Sequence, residues 1–291
     1  MSAILKVENL NVTLQHRRVS KKLVEDVSFE VRPGECLGIL GESGSGKSMT
    51  LRCIAGIETP DKGRIVINGK TVLDKNFQVS GSAIFDGQDL LKETKEELRR
   101  LRGSRITMVL QNPMTCFDPL YRIGNQMAET FATHTSWNVQ EIRSRCLEIL
   151  DQMRIRNGEE VLEKYPHQLS GGMLQRIMIG IAMALQPELL IADEPTTAID
   201  AITQYEILEE FIRIKKQKNT AMLFITHDLG AISKVADRIL VMNSGHVVDS
   251  GSFDHILKHA DDPYTRMLVE KRSAVMHRYR QILHGKESSN A

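Results

Sequence analysis

Apolar residues fall along this chain at two spacings. Ile4-Leu5-Lys6-Val7 and Asp26-Val27-Ser28-Phe29-Glu30-Val31 alternate with polar positions, the pattern of half-buried strands, and Arg32-Pro33-Gly34-Glu35 then supplies a turn. The run that follows, Cys36-Leu37-Gly38-Ile39-Leu40, is apolar throughout and ends in a glycine-rich loop. Leu189-Leu190-Ile191-Ala192 and Ala221-Met222-Leu223-Phe224-Ile225 are equally apolar, as strands covered on both faces must be. Two segments resemble each other, 63–69 and 81–87, each ending in an Asn-Gly or Asp-Gly turn signal. They read as successive hairpin strands at one sheet edge. Elsewhere the period is helical: Val139, Ile142, Cys146, Ile149 and Met153 step by three and four, with Asn138 and Glu141 spaced as a capping pair. Leu174, Met178, Ile181 and Leu185 repeat that stripe in a helix expected to start near Gly171. The sum is an α/β fold: a mainly parallel, helix-flanked sheet with a helical insertion at roughly 112 to 168.

Composition narrows what such a fold is for. With 291 residues the chain has room for one large domain. Its 38 basic and 37 acidic side chains leave a net charge of +1, which gives no electrostatic footprint for nucleic acid. Cys36, Cys53, Cys116 and Cys146 form no CxxC pair, so neither a zinc ribbon nor a disulfide framework is indicated, and a reducing cytoplasm fits. No apolar run is long enough to span a bilayer, so any tie to a membrane runs through partner proteins.

The candidate chemistry lies at strand ends. Gly41-Glu42-Ser43-Gly44-Ser45-Gly46-Lys47-Ser48 fits the phosphate-binding loop pattern between a buried strand and a helix that takes in Met49. Glycines let backbone N–H groups converge on phosphate oxygens, and the helix N-terminus adds its dipole. In such a loop Lys47 reaches the β- and γ-phosphates of a nucleotide and Ser48 the accompanying Mg²⁺. Asp193 and Glu194 follow a buried strand at its carboxyl end, where ligands of parallel sheets bind. Asp193 is the candidate Mg²⁺-side carboxylate and Glu194 the candidate base for the attacking water.

Leu169-Ser170-Gly171-Gly172-Met173-Leu174-Gln175-Arg176 resembles the signature sequence of ATP-binding cassette (ABC) ATPases. Asp193-Glu194-Pro195-Thr196-Thr197-Ala198-Ile199-Asp200 is similar to that family's Walker B and D-loop, Gln111 to its Q-loop and His227 to its switch histidine. The resemblance covers nearly the whole chain. It implies an ABC-type P-loop NTPase: a core at about 1–111 and 169–250 with an antiparallel edge, a helical subdomain at 112–168, and an extension at 251–291. It also implies that Ser170, Gly171 and Gly172 close on ATP held by an opposing cassette, that Asp200 lies beside the nucleotide, that His227 contacts the γ-phosphate, and that Gln111 links Mg²⁺ and water to the transporter interface. Two membrane channel subunits, a second cassette (a paralogue, or another copy) and, indirectly, an extracytoplasmic binding protein are the implied partners, at the cytoplasmic face of the membrane. The family usually stacks adenine on Tyr or Phe after the first strands. Asn11–His16 holds neither, which leaves His16 as the nearest planar side chain.

Gln111-Asn112-Pro113-Met114-Thr115-Cys116-Phe117-Asp118-Pro119-Leu120 and Asp262-Pro263-Tyr264-Thr265-Arg266-Met267-Leu268 resemble the importers of dipeptides, oligopeptides and nickel. The Met173–Arg176 wording, the Phe117-Asp118-Pro119 turn and the absence of cysteine after Cys146 favour the nickel and metal-metallophore branch, with a peptide importer as the alternative. A soluble ABC ATPase uncoupled from transport is the more distant alternative; such proteins usually carry two cassettes or a coiled-coil insertion. His255 and His259 share a helical spacing but lack a third ligand, so they read as a solvated face. Residues 271–291, with five Lys or Arg against one Glu, read as a solvated, basic end.

Overall fold

The computed structural model of the chain describes residues 2–16, 19–56, 64–67, 70–73, 77–197 and 199–271. The first strands are much longer than their alternating cores: β1 spans Leu5–His16 and β2 spans Val19–Val31. They pair antiparallel through bulges, and Asn9 and Asp26 there take positive φ, a conformation open to Asn and Asp more readily than to other side chains. Strand β3 (Cys36–Leu40) leads into the phosphate loop and helix α1 (Lys47–Ile54). A two-stranded ribbon, β4 (Arg64–Ile67) with β5 (Lys70–Leu73), precedes β6 (Phe77–Phe85), the short β7 (Gln88–Asp89), α2 (Lys95–Leu101) and β8 (Ile106–Val109).

Here the edge-hairpin expectation is corrected. The two look-alike segments are not neighbours in one sheet, because β4 pairs with β5 while β6 lies between β1 and β7 in a four-stranded antiparallel sheet ordered β2-β1-β6-β7. The Asn68-Gly69 turn lies outside the described residues. Asp86-Gly87 does turn β6 into β7, with both residues at positive φ.

Helices α3 (Ile123–His134), α4 (Val139–Gln152) and α5 (Gly158–Leu162) follow, then α6 (Gly171–Ala184). Asn138 and Glu141 form the expected reciprocal cap on α4. Val139, at the head of that helix's apolar stripe, is 83% exposed, so the buried face begins one turn later at Ile142. Strand β9 (Leu189–Asp193), α7 (Ala201–Lys218), β10 (Ala221–Ile225), α8 (Leu229–Val235), β11 (Arg238–Asn243), β12 (His246–Gly251) and α9 (Phe253–Lys258) complete the order, with a last helix at 263–271.

The central sheet runs β12-β11-β3-β10-β9-β8, parallel apart from β12. Strand alternation divides its side chains between two cores. Leu37, Ile39, Leu189, Ile191, Leu223 and Ile225 face the antiparallel sheet and α1. Leu190, Ala192, Met222 and Phe224 face the other way, toward α3, α4, α6 and α7. Because these strands run parallel, the carboxyl ends of β3, β8, β9 and β10 lie along one rim, and Lys47, Gln111, Asp193, Glu194 and His227 sit at or just after those ends. Among the described residues no helix is long and apolar enough to cross a membrane.

Candidate functional site: a phosphate loop facing two carboxylates

The loop between β3 and α1 has backbone demands that its glycines meet. Gly46 has φ +102°, and a Cβ there would lie 2.8 Å from the Leu23 carbonyl oxygen; one on Gly41 would lie 2.4 Å from the Met242 carbonyl oxygen. Ser45 N donates to Glu42 O at 3.2 Å, and Gly245 N to Ser45 O at 2.9 Å, so the loop is closed on itself and pinned to the turn after β11. Lys47, only 5% exposed, donates from Nζ to Gly41 O at 3.0 Å and Glu42 O at 2.8 Å. Glu42, Ser43 and Gly44 are open to solvent, while Met49 packs its partly buried side chain against the core under the antiparallel sheet.

Asp193 ends β9 and is 2% exposed. Its Oδ1 accepts from Ser48 Oγ at 2.9 Å, which joins the loop to the carboxylate strand. Burial pushes the Asp193 carboxyl above its ordinary value, opposed by the Ser48 hydrogen bond and the nearby positive charge of Arg52. A buried, poorly solvated carboxylate beside a hydroxyl is a hard oxygen donor pair, and such a pair suits Mg²⁺.

Glu194 leaves the strand with φ +47°, its N–H bonded to Ile225 O at 2.9 Å, so the side chain turns away from the strand direction. Three side chains converge on its carboxylate. Gln111 Nε2 donates at 3.0 Å, Thr197 Oγ1 donates at 3.0 Å, and His227 Nδ1 lies 3.2 Å from Oε1. Gln111 comes from the end of β8 and His227 from the end of β10, the strands flanking β9. Three strand ends thus bring Gln111, Glu194 and His227 together.

The remaining candidates stand apart from that cluster. Ser170 caps α6 by accepting from Met173 N at 3.2 Å, and a Cβ on Gly171 or Gly172 would meet nothing within 4 Å. This helix start faces open space. Asp200 caps α7 by accepting from Thr203 N at 3.0 Å, which holds its carboxyl below the ordinary value. The His16 side chain and residues 272–291 lie outside the described residues. His255 stands 3.7 Å from the buried Asp249 carboxylate, and His259 ends α9.

Two contacts have no counterpart in the sequence reading. Thr197, which the motif contains without implying a role, donates its hydroxyl to Glu194 at 3.0 Å. Gln175, 2% exposed on α6, donates to Pro195 O at 2.9 Å and Leu110 O at 3.4 Å, so the signature helix touches the chain just before Gln111 and just after Glu194. A buried glutamine in an apolar helix stripe is the signal that points to it.

Comparison with known proteins agrees with this geometry. Residues 24–197 match the ABC transporter family. Over 97% of its length the chain is 41% identical to the metal-staphylopine import system ATP-binding protein CntD of Staphylococcus aureus (strain NCTC 8325 / PS 47), and it covers 98% of that protein. It is 38% identical to the oligopeptide transport ATP-binding protein OppD of Lactococcus lactis subsp. cremoris (strain SK11), over 91% of this chain and 75% of OppD. The dimeric post-hydrolysis structure of the ATP-binding cassette MJ0796 bound to ADP and Pi superposes with a TM-score of 0.74 over 86% of this chain and 98% of that one. At 24% identity that likeness speaks to the fold. The chain belongs to the ABC transporter family. Within it, this is an ATP-binding and ATP-hydrolysing subunit of an importer.

Proposed function

We propose that the chain powers uptake of a metal ion held by a small chelator, nickel or a metal–metallophore complex, as one of two cassettes beneath a pair of channel subunits. The observation that carries the cargo assignment is the likeness to CntD, which extends over nearly all of both chains. A peptide importer is the second reading, favoured by the likeness to OppD over three quarters of that protein. The discriminating experiment is ATP turnover by the reconstituted transporter with its binding protein. Stimulation by metal–chelator complexes and indifference to peptides is the expected result; stimulation by peptides alone transfers the chain to the second reading.

In this proposal the residues divide the work as follows. The N–H groups of Gly41–Ser48 and the start of α1 bind the phosphates of ATP, and Lys47 exchanges its loop carbonyls for phosphate oxygens. Ser48, Asp193 and Gln111 would hold Mg²⁺, an assignment supported by the part-buried Ser48–Asp193 hydrogen bond, and a bound ion would supply charge neutralisation at the β- and γ-phosphates. Glu194 takes the proton of the attacking water, while Gln111, Thr197 and His227 fix its carboxylate. The open start of α6, with Ser170, Gly171 and Gly172, serves ATP held by the opposing cassette, and Asp200, the cap of α7, lies beside the nucleotide.

The helical insertion at 112–168 supplies the contact to the channel. Between it, β8 and α6 lies a cleft of about 560 Å³, lined in part by Met108, Phe117, Tyr121, Met178 and Ile181. Tyr121, on its wall, is 56% exposed, and the adjacent Leu120 is 78% exposed. Apolar groups presented this way suit a protein partner, and Gln111 lies only a few residues away in sequence. The channel subunits thereby hold the chain peripherally at the cytoplasmic face of the membrane.

A further inference from the structure

The peptide unit between Gly41 and Glu42 is gripped at both poles. Its carbonyl oxygen accepts from Lys47 Nζ at 3.0 Å, and its N–H donates to the hydroxyl of Tyr264 at 3.0 Å. In a trans peptide these poles point in opposite directions, so Tyr264 braces the start of the phosphate loop from the side away from Lys47. From this we infer that Tyr264 is a positioning residue for ATP binding. The inference rests on the reading of Gly41–Ser48 as the phosphate site and deepens it.

Tyr264 reaches the loop from a fixed base. Asp262 Oδ1 accepts from Tyr264 N at 2.8 Å and Thr265 N at 3.3 Å, capping the helix at 263–271. The Asp249 carboxylate, 4% exposed, accepts from Asp261 N at 3.2 Å. Leu268 and Val269 share an apolar cluster with Leu40, the residue directly before Gly41. The segment that carries Tyr264 is thus fixed at three points that do not depend on nucleotide.

The consequence appears when ATP binds. The phosphates draw the Lys47 ammonium toward themselves, and Gly41 O loses its strongest partner. Tyr264 continues to hold the N–H pole, so the loop keeps the path that its other N–H groups need in order to converge on phosphate. A loop held in its binding form before the ligand arrives binds it more tightly, because less ordering remains to be done. The hydroxyl touches neither Asp193 nor Glu194 in this arrangement, so it acts on affinity and leaves the chemical step alone.

Tyr264→Phe removes the hydroxyl and keeps the ring. Equilibrium MgATP binding to the full chain is expected to weaken about 2- to 10-fold, the range for one neutral hydrogen bond. Amide hydrogen exchange at Glu42 should accelerate, and in the assembled transporter KM should rise while kcat stays. Thr265→Val, which alters the fully buried neighbour without touching the loop, should leave MgATP affinity and Glu42 exchange as in the wild type. An equal loss in Thr265→Val would mean that the segment matters only as packing, and would overturn the inference. So would wild-type affinity in Tyr264→Phe when Lys47→Ala, measured alongside, loses binding. If Lys47→Ala itself binds MgATP normally, the phosphate-site reading falls and takes the inference with it.

Discussion

Replacing Glu194 by glutamine separates binding from chemistry more sharply than any other single change in this site. The carboxylate receives Gln111 Nε2 at 3.0 Å and Thr197 Oγ1 at 3.0 Å, with His227 Nδ1 at 3.2 Å. A glutamine side chain has the same shape but offers one acceptor oxygen and one donor nitrogen. The Thr197 hydroxyl can rotate to accept and neutral imidazole can present an acceptor nitrogen, so the cluster is re-satisfied with a net loss of about one hydrogen bond, ~1 kcal/mol. Loss of a general base costs far more, roughly 100- to 10,000-fold in turnover, or about 3–5 kcal/mol. The variant should therefore melt close to the wild type, bind MgATP with similar affinity and hydrolyse it at a small fraction of the rate, accumulating the ATP-bound closed dimer. The assay is single-turnover hydrolysis of pre-bound ATP, with binding measured separately. Turnover within about threefold of wild type would be far too small a loss for removal of a general base and would show Glu194 to be a bystander.

Three other substitutions or labels probe different links. Asp193→Asn should raise the melting temperature of the nucleotide-free chain, because burial already disfavours the charged carboxylate, while abolishing the extra stabilisation that MgATP gives the wild type; a lower melting temperature without nucleotide contradicts the desolvation argument. Ser170→Arg should leave ATP binding at this chain's own loop intact and cripple hydrolysis at the partner cassette's loop, which nucleotide binding and turnover of the mixed complex resolve; unchanged turnover removes α6 from the composite site. Cys116 is exposed on the cleft wall whereas Cys36, Cys53 and Cys146 are buried, so a bulky maleimide should label Cys116 first. The labelled chain should keep MgATP affinity and lose assembly with the channel subunits, and normal assembly would place the channel contact elsewhere.

Much of this site was legible because its parts are local. The phosphate loop needs glycines at fixed offsets beside a buried strand, and the Asp-Glu pair follows a strand whose apolar run announces its own end. Gln111 and His227 carry no such signal of their own and were marked only by resemblance to a family motif; the parallel strands β8, β9 and β10 bring them to Glu194. What escaped was set by tertiary pairing. Strands β1 and β2 extend far beyond their alternating cores because pairing and bulges continue where the side-chain pattern fades. The ribbon β4–β5 and strand β6 carry nearly the same turn signals yet belong to different sheets, since a turn signal says that a strand reverses and not which edge it joins. Val139 fits the helical stripe but sits at the first helical position, one turn before α4 meets its neighbours. Tyr264 is more than two hundred residues from Glu42 in sequence, and its motif marked kinship without revealing contact.

We propose that this cassette turns over ATP only when another cassette completes its site from across the dimer. Steady-state ATP hydrolysis per chain, measured on a strictly monomeric preparation and again after assembly with the partner cassette and channel subunits, tests it most directly. The account predicts MgATP binding in both states, weak turnover by the monomer and a large rise on assembly, because the α6 donors that stabilise the transition-state charge arrive only from the opposing subunit. Full turnover by the monomer would mean that one chain contains a complete active site, and the composite-site account would be wrong.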